Sequence, residues 1–312
     1  MTQQLRGETR AVANVALDHA LARLRTLEPT ARAFWIYDLD AFAERAKRFR
    51  TAFAALNPLV AYALKANALP ALLERAREEG LGADAVSAGE LEFARSAGFA
   101  PSACLLNGNG RTPEEAAWAV RHGVHSVNAD SIGELDLLEA VAAKASGRLN
   151  VAIRVNPGIE AGTHRHTETG DEAAKFGVSP ETALEAWQDR TRWPHLALEG
   201  VHIHIGSQVM DVEPLERAAD TALNLAAESA ARGAPLTWIN LGGGYAIDYR
   251  GEGEEFPLER WAECWWHAPR DARCAGCWSR DAGWWRRSAC WWRRCSRPSS
   301  ATAAASWCSP RV

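Results

Sequence analysis

Repeated strand–helix units predict an α/β fold for this 312-residue chain: a parallel sheet with helices outside, best matched by a (β/α)8 TIM-type barrel. Three observations carry this. Short apolar runs recur at 59–64, 84–87, 103–107, 124–128, 149–156, 198–205 and 236–241. Between them lie Ala/Glu/Arg/Leu-rich stretches with helical spacing, such as 70–79, 89–97 and 112–121. Polar and glycine residues gather where the apolar runs end, the face on which such barrels build their sites. Seven runs leave the barrel incomplete at its eighth strand. A doubly wound open sheet is the structural alternative.

Composition narrows the class. With 47% hydrophobic and 24% charged residues the chain is globular, not a disordered tail or a coiled coil. No run of 18 apolar residues could span a bilayer. The opening MTQQLRGETR has no apolar core of a secretory signal, so a cytoplasmic location is expected. A small molecule is the expected partner, with no nucleic acid and no membrane.

In chain order, residues 1–32 form an N-terminal lead-in helix, and 33–261 the barrel. Ala33–Leu39 (AFWIYDL) reads as an extra strand ahead of it. The first barrel strand closes in Tyr62-Ala63-Leu64-Lys65-Ala66-Asn67. A lysine there would project into the barrel mouth, where partial burial lowers its pKa and frees the amine as a nucleophile. The plain alternative is a solvated strand-end lysine.

The sixth strand carries His202 and His204 on one face, since side chains alternate along a strand. A metal pair is disfavoured because no further ligand pattern stands nearby. His202 reads as a neutral core histidine, and His204, beside Gly206-Ser207, as a cover for a flat ring. The seventh strand ends in Gly242, Gly243 and Gly244, whose backbone could approach an anion such as a phosphate. An ordinary turn is the alternative, because a triple glycine is weak evidence alone.

Taken together, a strand-end lysine, a ring-covering histidine, a serine and a glycine loop on one barrel face suit pyridoxal 5'-phosphate (PLP). The segments YALKAN (62–67), DAVSAGE (84–90), RVNPGIEAGTHRHTETGDEAAKFGV (154–178), HIHIGSQ (202–208) and NLGGGYAIDY (240–249) resemble the alanine-racemase-fold, or fold-type III, PLP-dependent decarboxylases. Within these the resemblance is to the diaminopimelate decarboxylase family, over about residues 30 to 261. The 154–178 segment favours diaminopimelate over ornithine or arginine decarboxylases; a decarboxylase of ornithine, arginine or a carboxylated polyamine on the same fold is the alternative. A non-enzymatic PLP-binding barrel is a further alternative.

The resemblance implies roles. Lys65 would hold PLP covalently, with His204 stacked on its ring as the second catalytic residue. Ser207, Gly242, Gly243 and Gly244 would hold the phosphate. Asp84, Glu90 and Arg154 would lie around the cofactor. For Glu90 the alternative is a carboxylate favoured by a helix N-terminus, and for Arg154 a strand-end salt bridge. The implied reaction is decarboxylation of meso-2,6-diaminopimelate to L-lysine by a homodimer with its sites at the interface.

From Ala262 to Val312 the alphabet changes. These residues hold nine Arg, no Lys and three acids, plus six of the seven Cys and eight of the 14 Trp. The family's Glu-Pro-Gly-Arg motif, its C-terminal β-domain and its Cys-Glu-Ser-Gly segment are missing. Cys274 and Cys277 could be half a zinc or redox site, and the Arg/Trp interleaving could bind nucleic acid or a membrane surface.

A frameshift accounts for more. Tryptophan has one codon, and reading one nucleotide earlier turns Trp-Trp into an aliphatic residue followed by Val. With suitable codons, 277–285 decodes as Leu-Glu-Pro-Gly-Arg-Trp-Leu-Val, which contains the missing motif. Residues 262–312 are therefore expected to be an out-of-frame tail with no fold of their own. The chain as written is expected to lack activity and the productive dimer.

Overall fold

The computed structural model describes residues 18–30, 35–159, 176–247, 255–267 and 289–292. The chain divides into two compact units, Phe42–Arg294 and a unit of the terminal segments. In the terminal unit a helix covers 18–27 (α1). Residues 35–38 form no strand and lead into the helix Leu39–Ala52 (α2), which corrects the expected strand over 33–39. Trp35 is 65% exposed there, so the apolar pattern that suggested a strand finds no ladder among the described residues.

The larger unit alternates strand and helix as the periodicity predicts. Its elements are β1 (Leu59–Ala63), α3 (Pro70–Glu78), β2 (Gly82–Ala85), α4 (Ala88–Ser96), β3 (Cys104–Leu106), α5 (Pro113–His122), β4 (Ser126–Ala129) and α6 (Ile132–Lys144). Then come β5 (Leu149–Arg154), α7 (Pro180–Gln188), β6 (Leu196–His202), α8 (Val212–Ala231), β7 (Trp238–Asn240) and α9 (Leu258–His267). Strands β1 to β7 pair in parallel in sequence order, with registers such as Ala63↔Asp84, Val127↔Val151 and His202↔Asn240.

Local chemistry sets the boundaries. Helix α5 starts in a capping box, Thr112 accepting from Glu115 N–H and Glu115 from Thr112 N–H, with Pro113 at its first position. It stops at Gly123, whose φ of 72° is the left-handed cap that glycine adopts cheaply. The run expected as a strand over 84–87 is paired only through Ala85, because Ser87 turns the chain and caps α4. Helix α8 buries Leu215, Ala218, Ala219, Ala222, Leu225 and Ala226, the i, i+3, i+4 stripe of a helix laid on a sheet.

Close sheet packing needs small residues. A Cβ on Gly82 would stand 2.5 Å from Ala103 O, and one on Gly200 would stand 2.4 Å from the Trp238 ring. Tyr62, Trp187, Trp261, Phe49 and Phe53 are among the largest fully buried side chains, each contributing roughly 1.5–3 kcal/mol.

The eighth position departs from expectation. Ala289–Trp292 forms β8, parallel to β1 over Leu59↔Ala289 to Tyr62↔Trp292 and meeting β7 at Asn240↔Ala289, so the strands form a closed barrel. Helix α9 likewise runs on to His267, through the expected junction near Ala262. Among the described residues of the tail, regular structure is confined to the end of α9 and to β8. The physical reason is general. Two strand edges with unpaired N–H and C=O groups accept any extended segment within reach, and an Ala-Cys-Trp-Trp stretch is compatible with that conformation. Its pairing with β7 at one register leaves this the least zipped seam of the barrel. The remaining Cys and Trp of the tail, Cys274 and Cys277 among them, lie outside the described residues.

Candidate active site

The C-terminal ends of parallel strands share one face, so Lys65, Asp84, Arg154, His202 and the glycine loop meet at one mouth. Lys65 does not close β1 but sits on the helical turn Leu64–Ala66 just beyond it, and it is exposed. The expectation of partial burial is thereby corrected: the strand ends at Ala63, and the turn carries the lysine past the packed layer. Its charge still reaches inward, favouring the ionised forms of Asp84 and Glu90 and disfavouring protonation of His202.

Asp84 is fully buried at the end of β2. Burial pushes its carboxyl well above the usual range, against the opposing pull of Asn107 and Lys65, while Glu90 pushes it further up. Asn107 Nδ2 donates to Asp84 Oδ1, and Asn128 Nδ2 donates to Asn107 Oδ1 at 2.7 Å. Three neighbouring strand ends thus carry one buried polar row.

Glu90 opens α4. Its N–H donates to the Ser87 hydroxyl at 3.2 Å, and its Oε2 accepts from Val86 N–H at 2.8 Å. Burial raises its pKa, opposed by that N–H and by Lys65. Ser131-Ile-Gly-Glu134 repeats Ser87-Ala-Gly-Glu90: Glu134 caps α6 in the same way, accepting from Asp130 N–H at 2.8 Å. In this second copy the acid is closed onto a cation, Arg111, at 2.5 Å, with both side chains under a tenth exposed.

Arg154, the last residue of β5, bonds Asp130 at 3.1 Å and lies over the Phe176 ring at 4.9 Å. Burial lowers its pKa, partly offset by Asp130. The salt-bridge reading of Arg154 therefore describes its contacts. Most of the motif beyond it, 160–175, lies outside the described residues.

His202 ends β6, so strand alternation does not extend to His204. His202 is buried and its pKa is pushed down to about 3, by burial first and then by Arg154, with Asn240 opposing. It is a neutral core imidazole, which fixes the sign of a pH effect. An unfolded histidine takes a proton below about pH 6.5, but the folded one does not until about pH 3, so stability is lost as pH falls between them. The slope is at most about 1.4 kcal/mol per pH unit. Asp84 and Glu90, raised by folding, act with the opposite sign. Urea midpoints at pH 7 and pH 4.5 should therefore fall less on acidification in His202→Gln than in the wild type; equal falls would refute a buried neutral His202.

His204 is half-buried and lies against the glycine loop. Gly243 N–H donates to His204 Nδ1 at 3.3 Å, which leaves the proton of a neutral imidazole on Nε2. Gly242 N–H donates to Asn240 Oδ1 at 2.8 Å. Two of the three loop N–H groups expected to face an anion are therefore engaged within the protein. Gly244 has φ of 94°, and a Cβ there would stand 1.9 Å from Gly206 O and 3.2 Å from His204 Cε1. Only glycine lets these two loops touch.

What holds the glycine loop was not foreseen. Val209 N–H donates to Gly244 O and Ala246 N–H to Val209 O, both at 3.0 Å. Tyr245 packs between Phe49 of α2, at 5.7 Å, and Phe256, at 4.9 Å, while Trp261 Nε1 donates to its hydroxyl at 3.2 Å. Asn107, Asn128, Arg111, Glu134, Asn240 and Tyr245 are the residues missed. Polar residues at the ends of β3, β4 and β7, and the repeated Ser-x-Gly-Glu, were the signals that could have found them. Cys104 is not a candidate nucleophile: burial pushes its thiol up to about 12.

Comparisons with known proteins bear on this arrangement. Residues 39–276 match the family described as pyridoxal-dependent decarboxylase, pyridoxal binding domain. The diaminopimelate decarboxylase of Neisseria meningitidis serogroup B is 38% identical over 228 residues, 73% of this chain and 55% of that protein. That of Aquifex aeolicus is 35% identical over 71% of this chain and 52% of its own length. The chain thus spans about half the length of the curated relatives it matches. The Helicobacter pylori diaminopimelate decarboxylase structure, complexed with L-lysine, superposes with a TM-score of 0.76 at 30% identity, covering 85% of this chain and 64% of that one. The Paramecium bursaria Chlorella virus arginine decarboxylase, 18% identical with a TM-score of 0.68, shares the fold.

Proposed function

The chain belongs to the pyridoxal-dependent decarboxylase family, whose pyridoxal-binding domain it carries, and from that premise we propose that it derives from a decarboxylase converting meso-2,6-diaminopimelate to L-lysine in the cytoplasm. The observation that carries this reading is the grouping, at the C-terminal ends of the strands, of Lys65, whose charge acts on Asp84 and Glu90, with His204 lodged on the glycine loop.

The residues fit PLP by their chemistry. An exposed amine meets the aldehyde, an imidazole offers a flat face, and a side-chain-free loop leaves room for a phosphate. Bound PLP would supply the electron sink for loss of CO2. Lys65 would hold it through its side-chain amine. Asp84 and Glu90 would keep a proton near Lys65. Arg154, steadied by Asp130, would place positive charge at the mouth. Ser207 and Gly244 N–H would meet the phosphate first, and Gly243 N–H would join them by giving up its 3.3 Å bond to His204.

The tail is proposed to be out of frame, so the 312-residue chain should show no decarboxylation above background and no productive dimer. Coding DNA across Glu259 to Gly276 should contain a point where one added base opens a frame encoding Glu-Pro-Gly-Arg. A TCN codon for Ser279, which leaves no Glu, sinks the account. The frame-restored protein should release CO2 from meso-diaminopimelate. Release from ornithine alone would make the substrate assignment wrong.

A further inference from the structure

In the buried row Asp84–Asn107–Asn128 the two asparagines have no part in the roles assigned above, and the row is built like a device for holding the Asp84 carboxyl still. Asp84 and Asn128 lie next to last in β2 and β4, and Asn107 directly follows β3. Each is under a tenth exposed. The amides point one way: Asn128 gives its NH2 to Asn107 Oδ1, and Asn107 gives its NH2 to Asp84 Oδ1. Reversing the Asn107 amide would set its carbonyl against the carboxylate, so the direction is fixed by its two neighbours. Arg111 Nη2 secures the far end, donating to Asn128 O at 3.3 Å. At the near end Asp84 Oδ2 is buried and unpartnered, beside the charge of Lys65.

We infer that Asn107 is a positioning residue: backed by Asn128, it holds the Asp84 carboxyl in place and thereby sets how readily Lys65 gives up its proton. The chemistry is an equilibrium. A carboxylate beside an ammonium favours the ammonium, so an ionised Asp84 keeps Lys65 protonated and a neutral one releases the free amine, with the proton leaving to solvent. A donated N–H favours the ionised carboxyl, and burial opposes it. Asn107 thus tips a balance. Among the described residues, the charge of Lys65 acts on Asp84 of β2, Glu90 of α4 and His202 of β6, and Arg154 of β5 acts on His202. His202 stays neutral above about pH 3, so Asp84 and Glu90 are the carboxyls that tune the lysine.

The inference rests on Lys65 being the amine that meets PLP, and its test separates the two. The full chain, without PLP, is labelled with a trace of acetic anhydride from pH 6 to 11, and the Lys65 peptide is read by mass spectrometry. The midpoint of labelling should fall by at least about half a pH unit in Asn107→Leu, raising labelling at a fixed pH below the midpoint about threefold. Asn128→Leu, which frees the Asn107 amide to turn, should shift it in the same direction. In an Asp84→Asn background neither change should move it. Lysine labelling elsewhere in the chain and the urea midpoint identify a variant that has lost its fold. If Asn107→Leu does not fold, Asn107→Ala and Asn128→Leu decide the same question. An unmoved midpoint in the folded variants, or a shift that persists without the Asp84 carboxyl, overturns the inference. Failure of the underlying assignment has its own signature: PLP and borohydride would mark a different lysine while the Lys65 midpoint still responded to Asn107.

Discussion

Lys65→Ala is expected to abolish covalent capture of PLP and to lower decarboxylation by the frame-restored protein at least about a thousandfold, some 4 kcal/mol of transition-state stabilisation. No neighbour among the described residues can take its place. The residues around it at the mouth are carboxyls, a neutral imidazole and an arginine whose guanidinium is held by Asp130. Borohydride reduction of the PLP-treated chain should place the pyridoxyl group on the peptide containing Lys65. Recovery on Lys144 or Lys175 would refute the assignment. Lys144 is a pointed control, since it lies in the last turn of α6, at the end of that helix remote from the capped start facing the mouth.

The largest stability effect is expected at Arg111. Its guanidinium is 2% exposed, bonded through Nε to Glu134 and through Nη2 to the carbonyls of Gly108 and Asn128. Removing one member of a buried ion pair leaves the other charge without compensation, at a cost of about 3–5 kcal/mol. Total stability for a domain is only about 5–15 kcal/mol. Arg111→Met should therefore lower the urea midpoint severely, and Arg111→Met with Glu134→Gln should recover part of the loss by removing the stranded charge. Arg111→Met at wild-type stability would show that the pair contributes little. Exposed bridges give the contrast: Arg48 grips Glu259 and Glu255 from α2, but all three side chains are about half exposed or more, so its loss should change stability by about 1 kcal/mol or less.

Much of the fold was legible because its signals are local. The order of strands and helices follows from apolar runs alternating with 3.6-residue periodicity, and each run lies within a single stretch of chain. The place of the triple glycine just past β7 could be read in the same way, and so could that of Lys65 near the end of β1, though not the turn that carries it past the strand. Strand ends were less secure: the run at 84–87 looked continuous, yet Ser87 had a cap to make and the strand stopped at Ala85. The segment 33–39 had strand composition but no partner to pair with among the described residues, and composition alone cannot supply one.

By itself, then, the sequence determined the parallel α/β barrel, the face on which its polar residues collect, and the family to which its motifs belong. Which polar groups answer one another emerges only from the packed barrel. Arg111 closes on Glu134, while the charge of Lys65, on the turn past β1, acts on Glu90 in the first copy of the motif. Asp84 and Asn107 are 23 residues apart along the chain, and Asn107 and Asn128 are 21 apart, yet they become one row because parallel register sets their strand ends side by side. The tail strand beside β1 was beyond reach for the same reason. Its place is set by the unpaired backbone edges of β1 and β7, and the hydrogen-bonding demand of an edge belongs to the assembled sheet, with no trace in the residues that come to fill it.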